Sequence, residues 1–508
     1  MSYMRFHLEG TIEFNKSINF LETDFPKIIA KINSELFRKG VPPEQEGARV
    51  THWSIEGSKL LLTIDSDTYL RSHDALLRLR NYFVQKLGKE YNVGVRGLTV
   101  KNYEISFKPK KLPKEKIQLK VPWFKDAEVK GNELIIKLQN LDSTALEDRY
   151  VERILRRVEE KVELQEYGGK AEHWELIWKS KEKKPVWDKD PSEEMEKLGW
   201  IKKFDVGIWL YTPIPTKIFR TMQQIAIKEV IKPLKFEEVI LPKVTPLEVW
   251  LRTGHVPGSS NSFFYVSKPL TYDPKYWEDF ADYVKVTNKI PYEQLKEKLE
   301  PPRLGVCFAQ CPPFYWYFEK KSLREEDLPI KVWDASGTSM RWEAGGLHGI
   351  ERVCEFHRIE LIWLGTKDQA LEIREKLIER YKHIFEKILN IEWRMAWVTP
   401  WYMAQAGQLG EAEKEKGTID FEAWLPFRGP REKSEWLEFQ NITVAGTKFS
   451  DAWGFKTTTG KEVWSGCSGI GLERWVVAFL AQKGLNPEKW PREFVKIFGK
   501  MPKEFHLI

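Results

Sequence analysis

The sequence predicts an α+β fold, in which a smaller amino-terminal α+β domain precedes a larger sheet-based domain. Three observations predict it. The first residues, MSYMRFHLEGTIEF, alternate polar and apolar side chains, which is the period of a half-buried strand. Residues 72–91 instead repeat apolar side chains with the period of a helix. Residues 179–197 are charged, contain proline and show little periodicity, which is typical of a linker.

The first domain is predicted to span residues 1–170 and to combine strands with two helices. Further strands are predicted at SKLLLTIDSD, VRGLTVKNYEISFK and NELIIKLQNL. The helix SHDALLRLRNYFVQKLGKEY has Ser72 as its expected N-cap, and STALEDRYVERILRRVEEKVEL opens a second helix at Ser143. The apolar face of the first helix consists of Leu76, Leu79, Phe83 and Leu87.

Basic side chains occupy the other faces of the first helix, at Arg71, Arg78, Arg80, Lys86 and Lys89. Such a group is most often a solvated helix face. Contact with the phosphates of a nucleic acid requires the same cluster of lysines and arginines on one surface. The residues alone leave both interpretations open.

A linker is predicted over residues 171–200, followed by a second domain over residues 201–508. Within the second domain, YDPKYWEDFADYVKVTNKIPYEQLKEKLE has the pattern of two short helices that are separated at residues 288–291. We therefore predict a helical insertion at about residues 268–303.

Composition limits the classes of protein to be considered. Hydrophobic residues make up 42% and charged residues 31% of the chain, which is typical of a folded globular protein and argues against disorder. The net charge of +7 is compatible with a nucleic-acid partner but does not require one. No secretory signal and no apolar run long enough for a bilayer is present, so we expect a cytoplasmic protein without a membrane partner.

Four cysteines are present, and in a cytoplasmic protein they are expected to be reduced thiols or metal ligands rather than disulfides. They are Cys307, Cys311, Cys354 and Cys467.

The stretch RWEAGGLHGIERVCEFHRIE, residues 341–360, has an unusually high charge for a predicted strand hairpin. Alternation along the strands places Arg341 and Glu343 on one face. It also places a second group together on one face of the return strand, which consists of Arg352, Cys354, Phe356, Arg358 and Glu360. Clustered guanidinium groups favour an anionic ligand, although charged cross-strand pairs also occur on exposed sheets.

A glycine-rich segment, GCSGIGLERWVVAFL, covers residues 466–480 and continues into an apolar helical pattern. Gly469 and Gly471 permit close approach of the backbone, and Arg474 falls in the first turn of the predicted helix. Taken alone, this element is also compatible with an ordinary surface arginine.

Together these segments resemble the sequence motifs of class II aminoacyl-tRNA synthetases. The stretch RWE…R…F looks like motif 2, GIGLER looks like motif 3, and LEFQN lies between them. FRTMQQIAIKEVIKPLKFEEVILPKV looks like motif 1, with its proline at Pro242. AGQLGEAEKEKGTIDFEAWLP is similar to a segment of seryl-tRNA synthetases.

Two departures narrow the resemblance to the type 2, methanogen-type seryl-tRNA synthetases. The first 165 residues lack the sustained heptads of the common enzyme's coiled coil, and AQCPPFYWYFEKK stands where that enzyme has a threonine-glutamate element. The resemblance covers essentially the whole chain. It implies an antiparallel class II sheet flanked by helices, behind an amino-terminal domain that binds tRNA.

The activity implied by the resemblance is that of an ATP-dependent, AMP-forming serine–tRNA ligase. Such an enzyme converts serine and ATP to seryl-adenylate and then transfers serine to tRNA(Ser), and to tRNA(Sec) where it is present. The implied partners are tRNA(Ser), serine and ATP, and the implied assembly is a homodimer. The implied cofactors are one Zn²⁺ per subunit and Mg²⁺ with ATP.

For zinc, the resemblance implies the ligands Cys311, Glu360 and Cys467, with the amino group of serine as the fourth ligand. The residue pattern alone leaves Cys307 and Cys354 as rival ligands, because Cys354 falls on the inward face of a regular strand.

Site residues follow from the resemblance, position by position. Arg341 and Arg358 are the implied catalytic residues, and Arg341 is expected to bridge the α-phosphate and the serine carboxylate. The implied ATP-binding residues are Arg341, Trp342, Glu343, Arg352, Val353, Phe356, Glu438 and Arg474. The implied serine-binding residues are Ala309, Arg341, Arg358, Ile359, Glu360, Asn441, Trp401 and Gln405.

Within the ATP-binding set, Phe356 is expected to stack under adenine and Glu438 to bind Mg²⁺. Arg474 is expected to clamp the adenine from its opposite face or to bind the γ-phosphate.

Two alternative functions are considered beside that of a serine–tRNA ligase. One is another zinc-containing class II synthetase of the threonyl type, a family that typically uses two histidines and one cysteine. The other is a paralogue that binds tRNA without catalysis, against which the presence of Arg341, Arg352 and Arg474 argues.

Overall fold

The computed structural model describes residues 4–109, 111–166, 174–343, 346–398 and 416–505. The chain divides into two compact units, Met1–Ala171 and Glu172–Ile508. The segment predicted as a linker contains a strand, Trp174–Lys179, and a helix, Pro191–Lys197. The domain bounds at residues 170 and 200 stay predictions. In the described part of the chain, no helix combines the length and apolar character needed to cross a membrane.

The first unit is built on one antiparallel sheet of six strands, in the order β2-β3-β1-β4-β6-β5. Its strands are β1 Met4–Phe14, β2 Ala48–Glu56, β3 Lys59–Ser66, β4 Val95–Phe107, β5 Phe124–Lys130 and β6 Glu133–Asp142. Its helices are α1 Phe25–Lys31, α2 Ser72–Tyr91, α3 Ser143–Glu147 and α4 Tyr150–Glu166, and a π-helical turn, Ile32–Leu36, continues α1.

Alternating burial along β1 and a buried stripe on α2 explain how this sheet and its helices pack. Phe6, Leu8, Gly10 and Ile12 are buried, while the residues that alternate with them are exposed or half-buried. The predicted apolar face of α2, from Leu76 to Leu87, lies in the core of the same unit. The sequence periods therefore predicted both elements correctly.

The cap of α2 differs from the prediction. Ser72 is the first residue of α2 rather than its cap, and its hydroxyl bonds the Ser66 hydroxyl and the Ile64 carbonyl at 2.8 and 3.0 Å. The second helix opens at Ser143, as predicted, and Asp142 caps it by accepting a hydrogen bond from the Ala145 N–H at 2.8 Å. The predicted second helix is also interrupted, because Arg149 has a left-handed φ of 59°.

The second unit contains the main sheet and several short strands. The strands of the main sheet are β7 Trp174–Lys179, β10 Glu237–Glu238, β15 Ile330–Asp334, β16 Thr338–Met340, β17 Glu355–Gly365, β18 Trp393–Val398, β19 Gly417–Ala423, β20 Leu437–Gly446 and β22 Trp464–Gly471. The others are β8 Ile201–Asp205, β9 Ile208–Tyr211, β11 Val244–Pro246, β12 Tyr265–Val266, β13 Leu304–Val306, β14 Ser322–Leu323 and β21 Lys456–Thr457.

Helices of the second unit lie between and around these strands. They are α5 Pro191–Lys197, α6 Pro213–Ala226, α7 Leu247–Arg252, α8 His255–Ser259, α9 Glu278–Thr287, α10 Tyr292–Glu297, α11 Cys311–Trp316, α12 Lys367–His383, α13 Lys448–Trp453, α14 Leu472–Lys483 and α15 Arg492–Phe498. The predicted pair of helices at residues 268–303 is present as α9 and α10, separated at Asn288 with φ 53°.

The main sheet has the order β10-β15-β17-β22-β20-β19-β18-β7, with β16 on β17, and it is antiparallel except for the β10–β15 pair. Helices α6, α12 and α14 pack on one face of this sheet. On β17, Ile359, Leu361 and Trp363 belong to that core, whereas the alternate side chains face the opposite side. Polar side chains collect on that opposite side, around a cavity. The predicted antiparallel sheet flanked by helices is confirmed.

The predicted hairpin over residues 341–360 is shorter than expected. β16 ends at Met340 and β17 begins at Glu355, so Arg341, Glu343 and Arg352 lie in the loop between the two strands. Gly346 and Gly349 have φ values of 92° and 48°, a left-handed backbone that a regular strand does not adopt. The strand-alternation argument therefore holds for Phe356, Arg358 and Glu360 but not for the loop residues.

Candidate active site and metal centre

A cavity of about 380 Å³ opens in the second unit over the polar face of the main sheet. It is lined by twelve of the residues singled out from the sequence: Ala309, Cys311, Arg341, Glu343, Val353, Phe356, Arg358, Glu360, Glu438, Asn441, Cys467 and Arg474. They come from segments up to 165 positions apart, from Ala309 to Arg474, which sheet pairing brings together.

Three predicted residues do not line this cavity. Ile359 is fully buried in the core beneath the sheet, because it alternates with Arg358 and Glu360. Trp342 is 45% exposed and packs edge-on against Phe264. Arg352 forms an ion pair with Glu435, and its backbone pairs with that of His348. Trp401 and Gln405 lie outside the described residues.

One group of possible metal ligands lies at the floor of the cavity. The ligand atoms of Cys311, Glu360 and Cys467 all lie within 4.8 Å of one another. Cys311 is the first residue of α11, while Glu360 and Cys467 are on the neighbouring strands β17 and β22. Glu360 pairs with Gly469 and Cys467 with Ile362, so the two side chains point to the same face two positions apart.

The chemistry of this group fits a divalent cation. Glu360 is completely buried, and neither of its carboxylate oxygens has a hydrogen-bond partner of good geometry among the described residues, although Arg358 Nε lies 2.5 Å away. Burial raises the pKa of Glu360. The hydrogen bond with Cys311, together with burial, raises the pKa of the Cys467 thiol well above its usual range. Two thiols and a carboxylate packed together disfavour ionisation of one another, and a bound metal ion reverses that preference.

The rival thiols lie outside this group. The Cys307 thiol donates to the Ala309 carbonyl at 3.0 Å, and burial raises its pKa to about 12. Cys354 is fully buried, and its backbone N–H donates to the Gly207 carbonyl. The described residues contain one further group of possible metal ligands, in the first unit, which consists of His73, Asp74 and Glu152. In this group Glu152 already pairs with Arg71.

Gly469 is required by the packing of Arg358. A Cβ at Gly469 would lie 2.0 Å from Arg358 Nη2, which no side chain can tolerate without displacement. A Cβ at Gly471 would meet only ordinary contacts, at 3.9 Å from Arg474. The predicted close approach is therefore real at Gly469, where the approaching group is a guanidinium, and it is absent at Gly471.

Two arginines on the walls of the cavity pair with glutamates. Arg341 Nη2 donates to a Glu343 carboxylate oxygen at 2.6 Å. Arg474 Nη1 donates to the carbonyl and to the carboxylate of Glu438, at 2.8 and 2.6 Å, and its Nε donates to the Glu351 carbonyl at 3.1 Å. The guanidinium groups are thus held in place by these bonds, and the half-buried Phe356 ring lines the same cavity.

Several cavity residues were not identified from the sequence. They include Trp174, His255, Phe308, Thr418, Asp420, Glu422, Gln440, Thr443 and Glu473. The signal for part of this set is the alternation of Thr418, Asp420 and Glu422 along β19, which places all three on one face of a strand. His255 and Phe308 are brought in by short elements, α8 and a loop, for which no period exists.

Comparison with known proteins agrees with this geometry. Residues 4–160 match a family model described as a tRNA-binding domain, and residues 300–483 match the tRNA synthetase class II core domain (G, H, P, S and T). A solved structure, that of A. aeolicus tRNASec in complex with M. kandleri SerRS, superposes with a TM-score of 0.83 at 29% identity and covers 99% of both chains. The matched core domain and the fold are those of a class II aminoacyl-tRNA synthetase.

Relatives that match over their full length identify the family within the class II synthetases. The type-2 serine–tRNA ligases of Methanococcoides burtonii and Methanothrix thermoacetophila are each 46% identical, over 98% of this chain and 99% of their own length. That of Methanocaldococcus jannaschii is 32% identical over 99% of this chain and 98% of its own. The chain belongs to the type-2 serine–tRNA ligases.

Proposed function

We propose that this protein joins serine to tRNA(Ser), and to tRNA(Sec) where it is present, in two ATP-dependent steps. A carboxylate oxygen of serine attacks the α-phosphorus of ATP, and the bond to the bridging oxygen breaks, so that pyrophosphate leaves. A hydroxyl of the terminal ribose of tRNA then attacks the seryl carbonyl carbon, AMP leaves, and the hydroxyl proton passes to solvent. One observation carries the proposal: Arg341, Arg358 and Arg474 line the same cavity as the Cys311–Glu360–Cys467 group.

Arg341 and Arg358 are assigned to the reacting groups. Arg341 stands on the wall of the cavity and offers donors to both the α-phosphate and the serine carboxylate, whose negative charges must approach each other. Arg358 is held between the Glu360 carboxylate and the Phe308 carbonyl, to which Nη1 donates at 3.3 Å. This fixed position supports orientation of the substrate rather than covalent catalysis.

Cys311, Glu360 and Cys467 are assigned as the ligands of one Zn²⁺. Three protein ligands leave a fourth position open, as catalytic zinc sites do. When bound, the zinc ion provides that position for the amino group of serine. Ala309, Asn441 and the backbone near Glu360 complete the serine side of the cavity in this proposal.

The ATP side of the cavity is assigned to Glu343, Val353, Phe356, Glu438 and Arg474. Phe356 offers an aromatic face for adenine, Arg474 supplies the opposing cation, and Glu438 is the proposed Mg²⁺ ligand. Glu438 is already within hydrogen-bond distance of both Arg474 and Asn441, which fixes its carboxylate at the boundary of the two halves of the site. Trp342 and Arg352 stay proposed as ATP-binding residues, although neither lines the cavity.

The first unit is proposed to bind the tRNA. Helix α2 carries exposed basic residues such as Arg78 and Lys89. Arg71 and Arg80 serve the fold as well, because they pair with Glu152 of α4 and Glu147 of α3. A homodimer, a cytoplasmic location and the domain bounds 1–170, 171–200 and 201–508 belong to the same proposal, supported by membership of the family.

Amino-acid-dependent exchange of pyrophosphate into ATP tests this proposal. We expect serine to support exchange and threonine to support far less, because the metal group contains no histidine and matches the predicted cysteine–glutamate set. Dominant exchange with threonine would show the threonyl-type alternative to be right. No exchange with either amino acid, in protein loaded with zinc, would favour the silent paralogue.

A further inference from the structure

A buried carboxylate of helix α14 is bonded to strand β17 beside the cavity. Glu473 is only 1% exposed, and both of its carboxylate oxygens accept a hydrogen bond from the His357 backbone N–H, each at 2.9 Å. The Nδ1 atom of the His357 ring lies 2.7 Å from the same carboxylate. A carboxylate buried so completely is retained only where such partners compensate for its lost hydration.

This contact lies where the ladder between β17 and β22 ends. β22 stops at Gly471, which pairs with Arg358, so the next residue of β17 in that direction, His357, has no strand partner on that side. The chain turns there into α14, and Glu473 is its second residue. Its carboxylate takes the place of the missing strand carbonyl, and the amino-terminal turn of a helix favours its negative charge.

The residues next to this contact line the cavity, with Phe356 and Arg474 on its proposed ATP side and Arg358 on its proposed serine side. Phe356 and Arg358 flank His357 and line the cavity, and Arg474 follows Glu473 and lines it as well. One contact between two backbone segments therefore sets the spacing between Phe356 on the strand and Arg474 on the helix. Neither Glu473 nor His357 needs to touch a ligand to have this effect.

Two aromatic rings also pack against the His357 ring. Tyr211 of β9 and Phe219 of α6 lie 6.2 and 5.8 Å from it, with interplanar angles of 73° and 59°. The two rings also pack on each other at 4.7 Å. Helix α6 belongs to the segment that resembles motif 1, so elements of all three motifs meet at this histidine.

We propose that Glu473 and His357 are positioning residues that set the affinity for ATP, by fixing Arg474 and Phe356 at the correct separation. The proposal rests on the proposed function in that the ligand between these groups is ATP. It predicts an effect on nucleotide binding that exceeds the effect on serine, because the metal group and Asn441 are held by other contacts.

Substitution of Glu473→Gln in the full-length, zinc-loaded protein tests it. The amide keeps the shape of the side chain but turns a donor towards the His357 N–H in place of one acceptor. We expect ATP to bind about 10-fold more weakly by calorimetry, with a change of less than about 2-fold in the KM for serine in pyrophosphate exchange. His357→Phe keeps the ring packing and both backbone bonds, so a smaller loss of ATP affinity is expected.

Glu392→Gln is the matched control. Glu392 is also fully buried, and it bonds Arg431 at 2.7 Å and the Lys183 N–H at 2.8 Å, away from the cavity. The Glu392→Gln variant should lose thermal stability to an extent comparable with Glu473→Gln, but its ATP affinity should not change. If circular dichroism shows that Glu473→Gln does not fold, the ATP affinity of His357→Phe is compared with that of Glu392→Gln, and this comparison tests the inference.

Two outcomes would overturn the inference: unchanged ATP affinity in the folded variants, or an equal loss in Glu392→Gln. Because ATP binding is measured without an amino acid, a wild-type protein that binds ATP but does not activate serine would contradict only the proposed function.

Discussion

At the scale of single residues, the site depends on which side chains are small and which are charged. Sequence alternation identified Arg358 and Glu360 correctly as neighbours on one face, because β17 is a regular strand through both positions. It could not select Cys311 and Cys467 over Cys307 and Cys354. That choice depends on the register of two strands and the start of α11, which are long-range contacts that no local pattern contains.

Removal of either thiolate should abolish metal binding. In Cys311→Ala and Cys467→Ala, two ligands stay, which are too few for a stable zinc site, so we expect less than stoichiometric zinc by elemental analysis. Cys307→Ala is the control and should keep its metal, since that thiol bonds a backbone carbonyl instead. Full metal content in both single variants would show that the ligands lie elsewhere.

A methyl group at Gly469 should damage catalysis more than folding. Gly469→Ala places a Cβ where Arg358 now lies, at 2.0 Å from Nη2, and the guanidinium must move away from the serine side of the cavity. We expect serine-dependent pyrophosphate exchange to fall by about 10-fold in kcat/KM.

Gly471→Ala provides the comparison, because its Cβ would have only ordinary contacts. Equal activities of the two alanine variants would contradict the assignment of Arg358.

At the scale of secondary-structure elements, hydrophobic period predicted the strands and helices well, and local chemistry predicted their ends less well. Alternation located β1, β3, β4 and β6, and the apolar stripe located α2. The predicted cap of α2 was displaced by one residue, because Ser72 is the first residue of the helix and bonds neighbouring groups instead of capping it. The hairpin is shorter than predicted, because β16 ends at Met340 and the loop before β17 contains glycines with left-handed φ at 346 and 349.

The cap of α3 can be tested directly. Asp142→Ala removes the acceptor of the Ala145 N–H and should weaken the local stability of α3 by about 1 kcal/mol. Ser143→Ala, at the first residue of the helix, should change little. Hydrogen exchange of amides 143–147, followed by mass spectrometry, measures both. Faster exchange in Ser143→Ala than in Asp142→Ala would contradict the capping assignment.

At the scale of the whole molecule, the chain is two separately packed units that share a modest positive charge of +7. The composition correctly predicted a folded globular chain, and it left the nucleic-acid partner open. The order of the strands in the main sheet, from β10 to β7, could not be predicted from periods, because its neighbours are far apart in sequence. The resemblance of the motifs implied an antiparallel sheet flanked by helices, and the strand order itself comes from the structure.

Salt should weaken tRNA binding through the first unit. Phosphate contacts release counterions, so the logarithm of affinity falls with the logarithm of salt concentration. In the double variant Arg78→Gln, Lys89→Gln this slope should become shallower by about one unit for each side chain removed, measured by filter binding of tRNA(Ser). Lys376→Gln, on α12 of the second unit, is the control with an equally exposed lysine. An unchanged slope in the double variant would show that α2 lies outside the tRNA interface.

The pairing of Ile362 with Cys467 also has a practical meaning for anyone who purifies this protein. A slip of one position between β17 and β22 would turn the thiol towards the helix-covered side, far from its two companions. Only correctly assembled molecules would then take up the ion. The ratio of ion to polypeptide in a preparation would therefore count the native fraction directly, without any measurement of activity.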